Sequence, residues 1–227
     1  VSGSYSDQGN LRTPDGEAPN TSFRQKEGSA FLSYDFSDKF TVGGGLDSFK
    51  GSIHSGSMEP GYENFAVDVP KWQRDKVYAF AEAKNVTPWL PRVRFDAFWP
   101  KNDNELTNDV NTDPAITKMP LVVTNNADNR NKQLGSSLQM DWAIGDNHYL
   151  ITGYDISYDT LKADTRASAS TSVERILATG ILASAPPFAQ QIAAASMAKS
   201  IPYTSTAYHE GDMLTNALYA QMESTLP

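Results

Sequence analysis

Residues Gln133 to Tyr158 read QLGSSLQMDWAIGDNHYLITGYDISY, and this stretch decides the fold. Apolar and polar side chains alternate along both of its halves, which are separated by the turn residues Gly145, Asp146 and Asn147. A period of two on both sides of a Gly/Asp/Asn turn predicts an antiparallel β-hairpin. The residues expected on one face of this hairpin are Leu134, Leu138, Met140, Trp142, Ile144, Leu150, Thr152, Tyr154, Ile156 and Tyr158.

The strands of this hairpin are long for a water-soluble protein. Each alternating half extends over roughly ten residues, whereas strands in soluble proteins are usually about five or six residues long. A transmembrane β-barrel needs strands of about 9–11 residues, with one apolar face and one face of polar and small residues. The hairpin therefore predicts two neighbouring strands of such a barrel.

The same alternation recurs along most of the chain and predicts about eight strands. The connections between them are expected to be short at 37–39, 85–91 and 145–147, and long at 9–20, 51–71, 100–129 and 161–213. Because short and long connections alternate, all the long ones lie at one end of the strands. Outer-membrane barrels have short periplasmic turns and long extracellular loops. The expected fold class is all-β: an antiparallel up-and-down transmembrane β-barrel.

The predicted loop 161–213 is the longest connection and contains two signals for short helices. The run Thr171-Ser172-Val173-Glu174 resembles a capping box in front of an apolar stretch. Pro186-Pro187 precedes a second, alanine-rich stretch, and proline is common at the first position of a helix. We therefore expect a long extracellular loop that carries two short helices.

Composition excludes several classes of protein. The sequence has no cysteine, so it forms neither a disulfide framework nor a thiolate metal site. The formal net charge of −8 argues against nucleic acid as a partner. No apolar run approaches the ~18 residues of a transmembrane helix, a test that does not apply to barrel strands because half of their residues are polar.

Two alternatives share the strand pattern. A secreted β-sandwich or adhesin is one, and an intact eight-stranded barrel is the other. Both ends of the sequence fall inside alternating stretches, and the loop 161–213 is long for a small barrel. We therefore expect residues 1–227 to form part of one larger barrel domain, with no plug domain in this segment.

Five residues are candidates for contacting a ligand. Tyr203, Tyr208 and His209 lie in or beside the predicted loop 161–213, and Tyr and His side chains are known axial ligands of haem iron. Arg92 and Arg94 share the polar parity of one strand, where they would attract an anionic chelate or form a structural network of ion pairs. No catalytic triad, metal-ligand spacing or phosphate-binding loop occurs, so we expect no enzyme, no metal site and no resident cofactor.

Three segments resemble the barrel strands of TonB-dependent outer-membrane receptors: GSSLQMDW at 135–142 with GDNH at 145–148, KVYAFAE at 76–82 and ALYAQME at 217–223. This resemblance implies about eight strands of a 22-stranded barrel that encloses an N-terminal plug. Neither the plug nor the TonB box of the family is matched here.

The resemblance also implies a function. It implies uptake of a ferric siderophore or haem across the outer membrane of a Gram-negative bacterium, with outer-membrane lipid around the barrel and the TonB complex acting through the plug. The alternative is a structural or adhesive outer-membrane barrel without active transport.

Overall fold

The computed structural model describes residues 1–14, 16–57 and 60–224. In chain order the strands are β1 (Ser2–Gln8), β2 (Arg12–Thr13), β3 (Gly16–Glu17), β4 (Phe23–Ser37), β5 (Phe40–Ser57), β6 (Tyr62–Thr87), β7 (Leu90–Thr112), β8 (Val122–Ile144), β9 (His148–Ser170) and β10 (Tyr203–Ser224). The helices are α1 (Pro114–Thr117), between β7 and β8, and α2 (Val173–Ala178) and α3 (Pro187–Ser200), both between β9 and β10.

Eight of the strands form one antiparallel sheet in the order β1-β4-β5-β6-β7-β8-β9-β10. Each strand pairs with the next one along the chain, except that β2 and β3 form a separate small hairpin between β1 and β4. The expected up-and-down topology is confirmed. Among the described residues β1 and β10 do not pair with each other, so the sheet has two free edges. The alternative of an intact eight-stranded barrel is therefore wrong.

The three short turns lie side by side at one rim of the sheet. The β4–β5 and β6–β7 hairpins are joined there by a hydrogen bond from the Lys84 amide to the Lys39 carbonyl, 2.8 Å long. The Ala143 amide donates to the Trp89 carbonyl over 3.1 Å and joins the β8–β9 hairpin to the same rim. All other connections between sheet strands therefore lie at the opposite rim, as the order of short and long connections predicts.

The strands are longer than predicted and the long connections are shorter. The strands β4 to β10 contain between 15 and 26 residues each. Most residues of the expected loops 51–71 and 100–129 are strand, and the actual connections are 58–61, described only from residue 60, and 113–121. Residues 161–170 and 203–213 belong to β9 and β10, so the last connection is 171–202.

The sequence hides these strand extensions for a physical reason. Alternation of apolar and polar residues marks a strand only where its two faces meet different surroundings. The extensions of β7 and β8 are rich in Asn, Asp and Thr on both faces, so apolar and polar residues do not alternate there. Backbone pairing with neighbouring strands nevertheless continues through them.

Helices α2 and α3 make the connection 171–202 an ordered segment. The Ser172 hydroxyl caps α2 by accepting from the Arg175 amide, and α3 begins at Pro187. Arg175 joins α2 to the strands, because its guanidinium contacts Glu63 over 2.7 Å and also donates to the carbonyl of Thr112. No helix in the described part of the chain is long and apolar enough to cross a membrane.

The sheet is a single layer with two different faces. One row of paired residues crosses seven strands on what we call the apolar face: Tyr34, Val42, Ala81, Phe95, Leu138, Tyr154 and Leu218. The opposite, polar face carries the row Glu82, Arg94, Gln139, Gly153 and Tyr219. The apolar face is not a protein core, since Leu218 is 83% exposed.

Candidate functional site

Arg92 and Arg94 lie on the polar face near the short-turn rim, where they share one carboxylate. Glu82, only 8% exposed, accepts from Arg92 over 2.8 Å and lies 3.4 Å from Arg94. The Arg94 guanidinium also donates two parallel hydrogen bonds, 2.8 and 2.7 Å long, to the Asp96 carboxylate. Bidentate pairs of this kind are among the strongest polar contacts in proteins. The arrangement supports the structural-network role of the two arginines, because their charges are already matched.

The network continues onto the next two strands through Asp141. This carboxylate is 3% exposed, lies 3.7 Å from Arg92, and accepts from the Tyr149 hydroxyl over 2.8 Å and from the Gln139 amide over 2.9 Å. Side chains from β6, β7, β8 and β9 are thus tied together. Removing Arg92 would take a partner from the buried carboxylates of both Glu82 and Asp141, which is costly.

Tyr203, Tyr208 and His209 lie in β10 rather than in a loop, because β10 begins at Tyr203. Successive side chains of a strand point to opposite faces. His209 and Tyr203 therefore share the polar face with Tyr219, whereas Tyr208 shares the apolar face with Leu218. The strand does not bring the three residues to one place.

Tyr208 has polar neighbours on its own face. Its hydroxyl donates to Glu210 over 2.6 Å, and this hydrogen bond raises the pKa of Tyr208. The ion pair with Lys162, 2.6 Å long, lowers the pKa of Glu210. Since the Tyr208 side chain lies on the face opposite to His209, these two residues do not contact one ligand on the polar face.

The arginine network and His209 are far apart. His209 is in register with Asn104 of β7, through Ala163 and Asn129. Arg94 lies ten residues further along β7, which is roughly 33 Å at about 3.3 Å per residue. One small ligand therefore cannot touch Arg94 and His209 at the same time.

The polar face around His209 carries asparagines that the sequence reasoning missed. Three Asn–Asn pairs face each other between β7 and β8: Asn102 with Asn131, Asn104 with Asn129, and Asn108 with Asn125. The signal was present in the sequence, because the members on each strand are separated by even numbers of residues. The expected loop 100–129 contains all of them except Asn131, and in a loop the spacing of residues does not define a face.

Two aromatic residues border this asparagine ladder. Trp72 pairs with Asn104, and its ring meets Phe49 edge to face with 5.3 Å between the centroids. Within the described residues the side-chain oxygens of Asn108 and Asn131 are buried without a hydrogen-bond partner. We call Phe49, Trp72, the asparagine ladder and His209 the ladder surface. It offers unused amide groups beside aromatic rings, which suits a polar ligand with flat parts.

Closer to the short turns, aromatic rings cover glycines on the polar face. A Cβ atom added at Gly43 would lie 2.5 Å from Phe80, and one at Gly45 would lie 2.7 Å from Tyr78. In the same way Tyr219 lies over Gly153. The glycines of β5 are therefore needed for close approach of the rings, and Tyr78 and Phe80 share the face of the charged residues.

No family model and no curated protein matches this sequence. Among solved structures, the chain is similar to the copper transporter OprC, with 17% identity and a TM-score of 0.50, over 75% of this chain and 24% of that chain. It is also similar to the ferric yersiniabactin uptake receptor FyuA from Yersinia pestis, with 17% identity and a TM-score of 0.48, over 89% of this chain and 26% of that one.

The chain thus spans about a quarter of the length of these solved proteins. The similarity to OprC covers the antiparallel sheet and concerns the fold alone. The predicted fold class is confirmed by this similarity together with the antiparallel up-and-down sheet. The chain has a fold similar to about a quarter of the copper transporter OprC.

Proposed function

We propose that this chain is part of a TonB-dependent transporter in the outer membrane of a Gram-negative bacterium. The observation that carries the proposal is the apolar face, which is continuous across seven strands and exposed. On β8 it extends from Leu134 to Ile144, roughly 33 Å along the strand, or about 25 Å along the membrane normal at a tilt of about 40°. This is the height of the apolar band of outer-membrane barrels, about 25 Å.

In this proposal lipid covers the apolar face, and the polar face lines the interior of the barrel. The rim with the short turns faces the periplasm, and the rim with α2 and α3 faces the outside. The buried ion pairs around Glu82 and Asp141 then belong to the interior wall near the periplasmic end. A plug and the TonB complex are partners that the resemblance of the sequence implies.

The proposed ligand is a ferric siderophore or haem, held at the ladder surface in the outer half of the barrel. Side-chain amides donate and accept hydrogen bonds, and thus suit the oxygen-rich shell of an iron chelate. Trp72 and Phe49 provide rings against which a flat group packs. His209 would supply an axial ligand if the cargo is haem. Tyr203 lies on the same face nearer the rim and is a further candidate contact.

The connection 171–202 is proposed to cover the outer mouth of the barrel. Arg175 holds α2 against Glu63 and the end of β7, so the segment is attached to the strands at a defined place. Ordered connections of this length in compact proteins are usually functional. In this role the two helices would help to retain the ligand above the ladder surface.

The test compares two asparagines of β8 that are both exposed but lie on opposite faces. Asn129→Leu removes an amide from the ladder surface, whereas Asn126→Leu makes the same change on the other side of the strand. Uptake of radioactive ferric chelate and of haem is measured in iron-limited cells that produce the intact protein. We expect Asn129→Leu to weaken the apparent affinity for the ligand about fivefold, because one hydrogen bond to the ligand is lost. Asn126→Leu should leave this affinity unchanged.

The outcomes separate the alternatives. Equal uptake by both variants and the parent would contradict a ligand site at the ladder surface. Absence of any uptake dependent on the intact protein would instead favour a structural or adhesive barrel. Loss of haem uptake alone in His209→Ala would identify haem as the cargo, and unchanged uptake would favour a siderophore.

A further inference from the structure

On the side of the sheet that carries the apolar face, the surface changes from apolar to charged within two to four residues along each strand. The last apolar row toward the long-connection rim is Leu46, Val77, Trp99, Leu134, Tyr158 and Leu214. Two residues further along their strands come Asp75, Lys101, Lys132 and Asp212. The following row contains Lys26, Lys50, Arg130 and Lys162. A belt of charge thus borders the apolar face directly.

One part of this belt is positively charged only. Lys26 of β4 and Lys50 of β5 are directly opposite each other in the sheet, and both are exposed. With Arg24 and Lys71 they line a cleft of about 260 Å³, and the described residues that line it include no Asp or Glu. Like charges directly opposite each other on neighbouring strands are destabilising. Asp7 lies near Lys26 and Asp75 near Lys50, but among the described residues neither carboxylate forms an ion pair with these lysines within 4.0 Å, so an external anion can approach both ammonium groups.

The four cations differ in how well the protein neutralises them. Arg24 lies 3.1 Å from Asp7, and Lys71 lies 3.6 Å from Glu105. Lys26 lies over the ring of Tyr5 at 5.5 Å, which leaves its charge intact. In the part of the chain that the structure describes, no carboxylate lies within 4.0 Å of the Lys50 ammonium group.

Other lysines of the same belt have their own carboxylates. Lys101 lies 2.9 Å from Asp103, and Lys162 lies 2.6 Å from Glu210. Lys26 and Lys50 differ from these two lysines because neither has a carboxylate of the described chain within 4.0 Å. Lys132, opposite Lys101 in the same belt, also forms no ion pair within the described residues, but it does not line the cleft.

We propose that the cleft formed by Arg24, Lys26, Lys50 and Lys71 binds the phosphate of an anionic membrane lipid. This inference rests on the proposed function only in that the apolar face lies in lipid. Lys50 is four residues beyond Leu46, roughly 13 Å along the strand and about 10 Å along the membrane normal. The polar layer of one leaflet is about 5–8 Å thick, and a flexible lysine side chain reaches back into it.

The chemistry favours a phosphate monoester over other headgroups. Such a group carries close to two negative charges and presents three acceptor oxygens, enough for both lysines and one further donor. Contacts between ammonium and phosphate are charge-assisted hydrogen bonds, which are stronger than neutral ones. Binding of the phosphate would relieve the repulsion between Lys26 and Lys50. The two lysines therefore destabilise the sheet without lipid and stabilise the protein when the lipid is bound.

The experiment uses the intact protein in a neutral detergent. Phosphatidic acid is the probe, because its headgroup is a phosphate monoester, and phosphatidylcholine and inorganic phosphate are the comparison ligands. The variant is K26Q/K50Q. The matched control is K101Q/K162Q, which removes the same charge from the same belt where each lysine has a carboxylate. Retained lipid is counted by native mass spectrometry, and thermal unfolding is followed with and without each ligand.

We expect phosphatidic acid to bind K26Q/K50Q about tenfold more weakly than the parent, and the control to change by less than about twofold. Without lipid, K26Q/K50Q should unfold at the same temperature as the parent or higher, because repulsion has been removed. With phosphatidic acid bound, K26Q/K50Q should unfold at a lower temperature than the parent.

Three results would overturn the proposal. These are equal binding of phosphatidic acid by K26Q/K50Q and the parent, equal losses in the variant and the control, and equal stabilisation by inorganic phosphate or phosphatidylcholine. The proposed transport function is tested separately, since lipid binding in detergent requires no uptake. A protein that binds phosphatidic acid as expected but takes up no ligand would refute transport alone.

Discussion

Arginine at Leu138 should destabilise the protein in a bilayer, whereas arginine at the neighbouring Ser137 should not. Leu138 lies on the apolar face between Phe95 and Tyr154, four residues from Leu134 and six from Ile144. It is therefore close to the middle of the apolar band. Arginine at the midplane of a barrel's lipid face costs about 2–4 kcal/mol. Since 1.36 kcal/mol corresponds to a factor of ten, the folding equilibrium should fall about 30- to 900-fold.

The Ser137→Arg variant is the matched control. Ser137 is at nearly the same depth but on the polar face, in register with Asp96 on one side and Asp155 on the other. A guanidinium placed there meets two carboxylates instead of hydrocarbon, so the free energy of unfolding should change by less than about 1 kcal/mol.

The assay is equilibrium unfolding of the intact protein from liposomes by denaturant, followed by tryptophan fluorescence. Equal unfolding free energies for the Leu138→Arg variant and the parent would refute the assignment of the apolar face to lipid. Equal losses in the two arginine variants would also refute it, because only Leu138 is expected to face lipid whereas the new side chain is the same at both positions.

Two further predictions concern packing and the outer rim. Gly153→Val should prevent close approach of the Tyr219 ring and lower the yield of folded protein in liposomes, and adding Tyr219→Ala should restore part of it; no recovery in the double variant would contradict the packing argument. Arg175→Ala should release α2 from Glu63 and the end of β7, so that limited proteolysis cuts the connection 171–202 faster while the strands stay intact; unchanged cleavage would show that Arg175 does not hold this segment.

The site could be predicted only in part. The sequence placed Arg92 and Arg94 on the polar parity of one strand, and the structure places them there. Their partners Glu82 and Asp141 come from strands ten and more residues away, so the network could not be read from local spacing. His209 was predicted as a loop residue, and its row with Asn129, Asn104 and Trp72 emerged only from the register of four strands.

The sequence by itself determined the hairpin of β8 and β9, the order of short and long connections, and hence the antiparallel up-and-down sheet. It did so because apolar and polar side chains must alternate along a strand that lies between lipid and a polar interior. Residues 133–158 show this alternation. Tertiary structure alone decided how far the strands extend, since beyond the apolar band apolar and polar residues no longer alternate regularly, while backbone pairing continues. It also decided which residues face each other: Tyr78 and Phe80 lie over glycines, and Lys26 lies opposite Lys50. Register is a property of strand pairs, and no single stretch of sequence contains it.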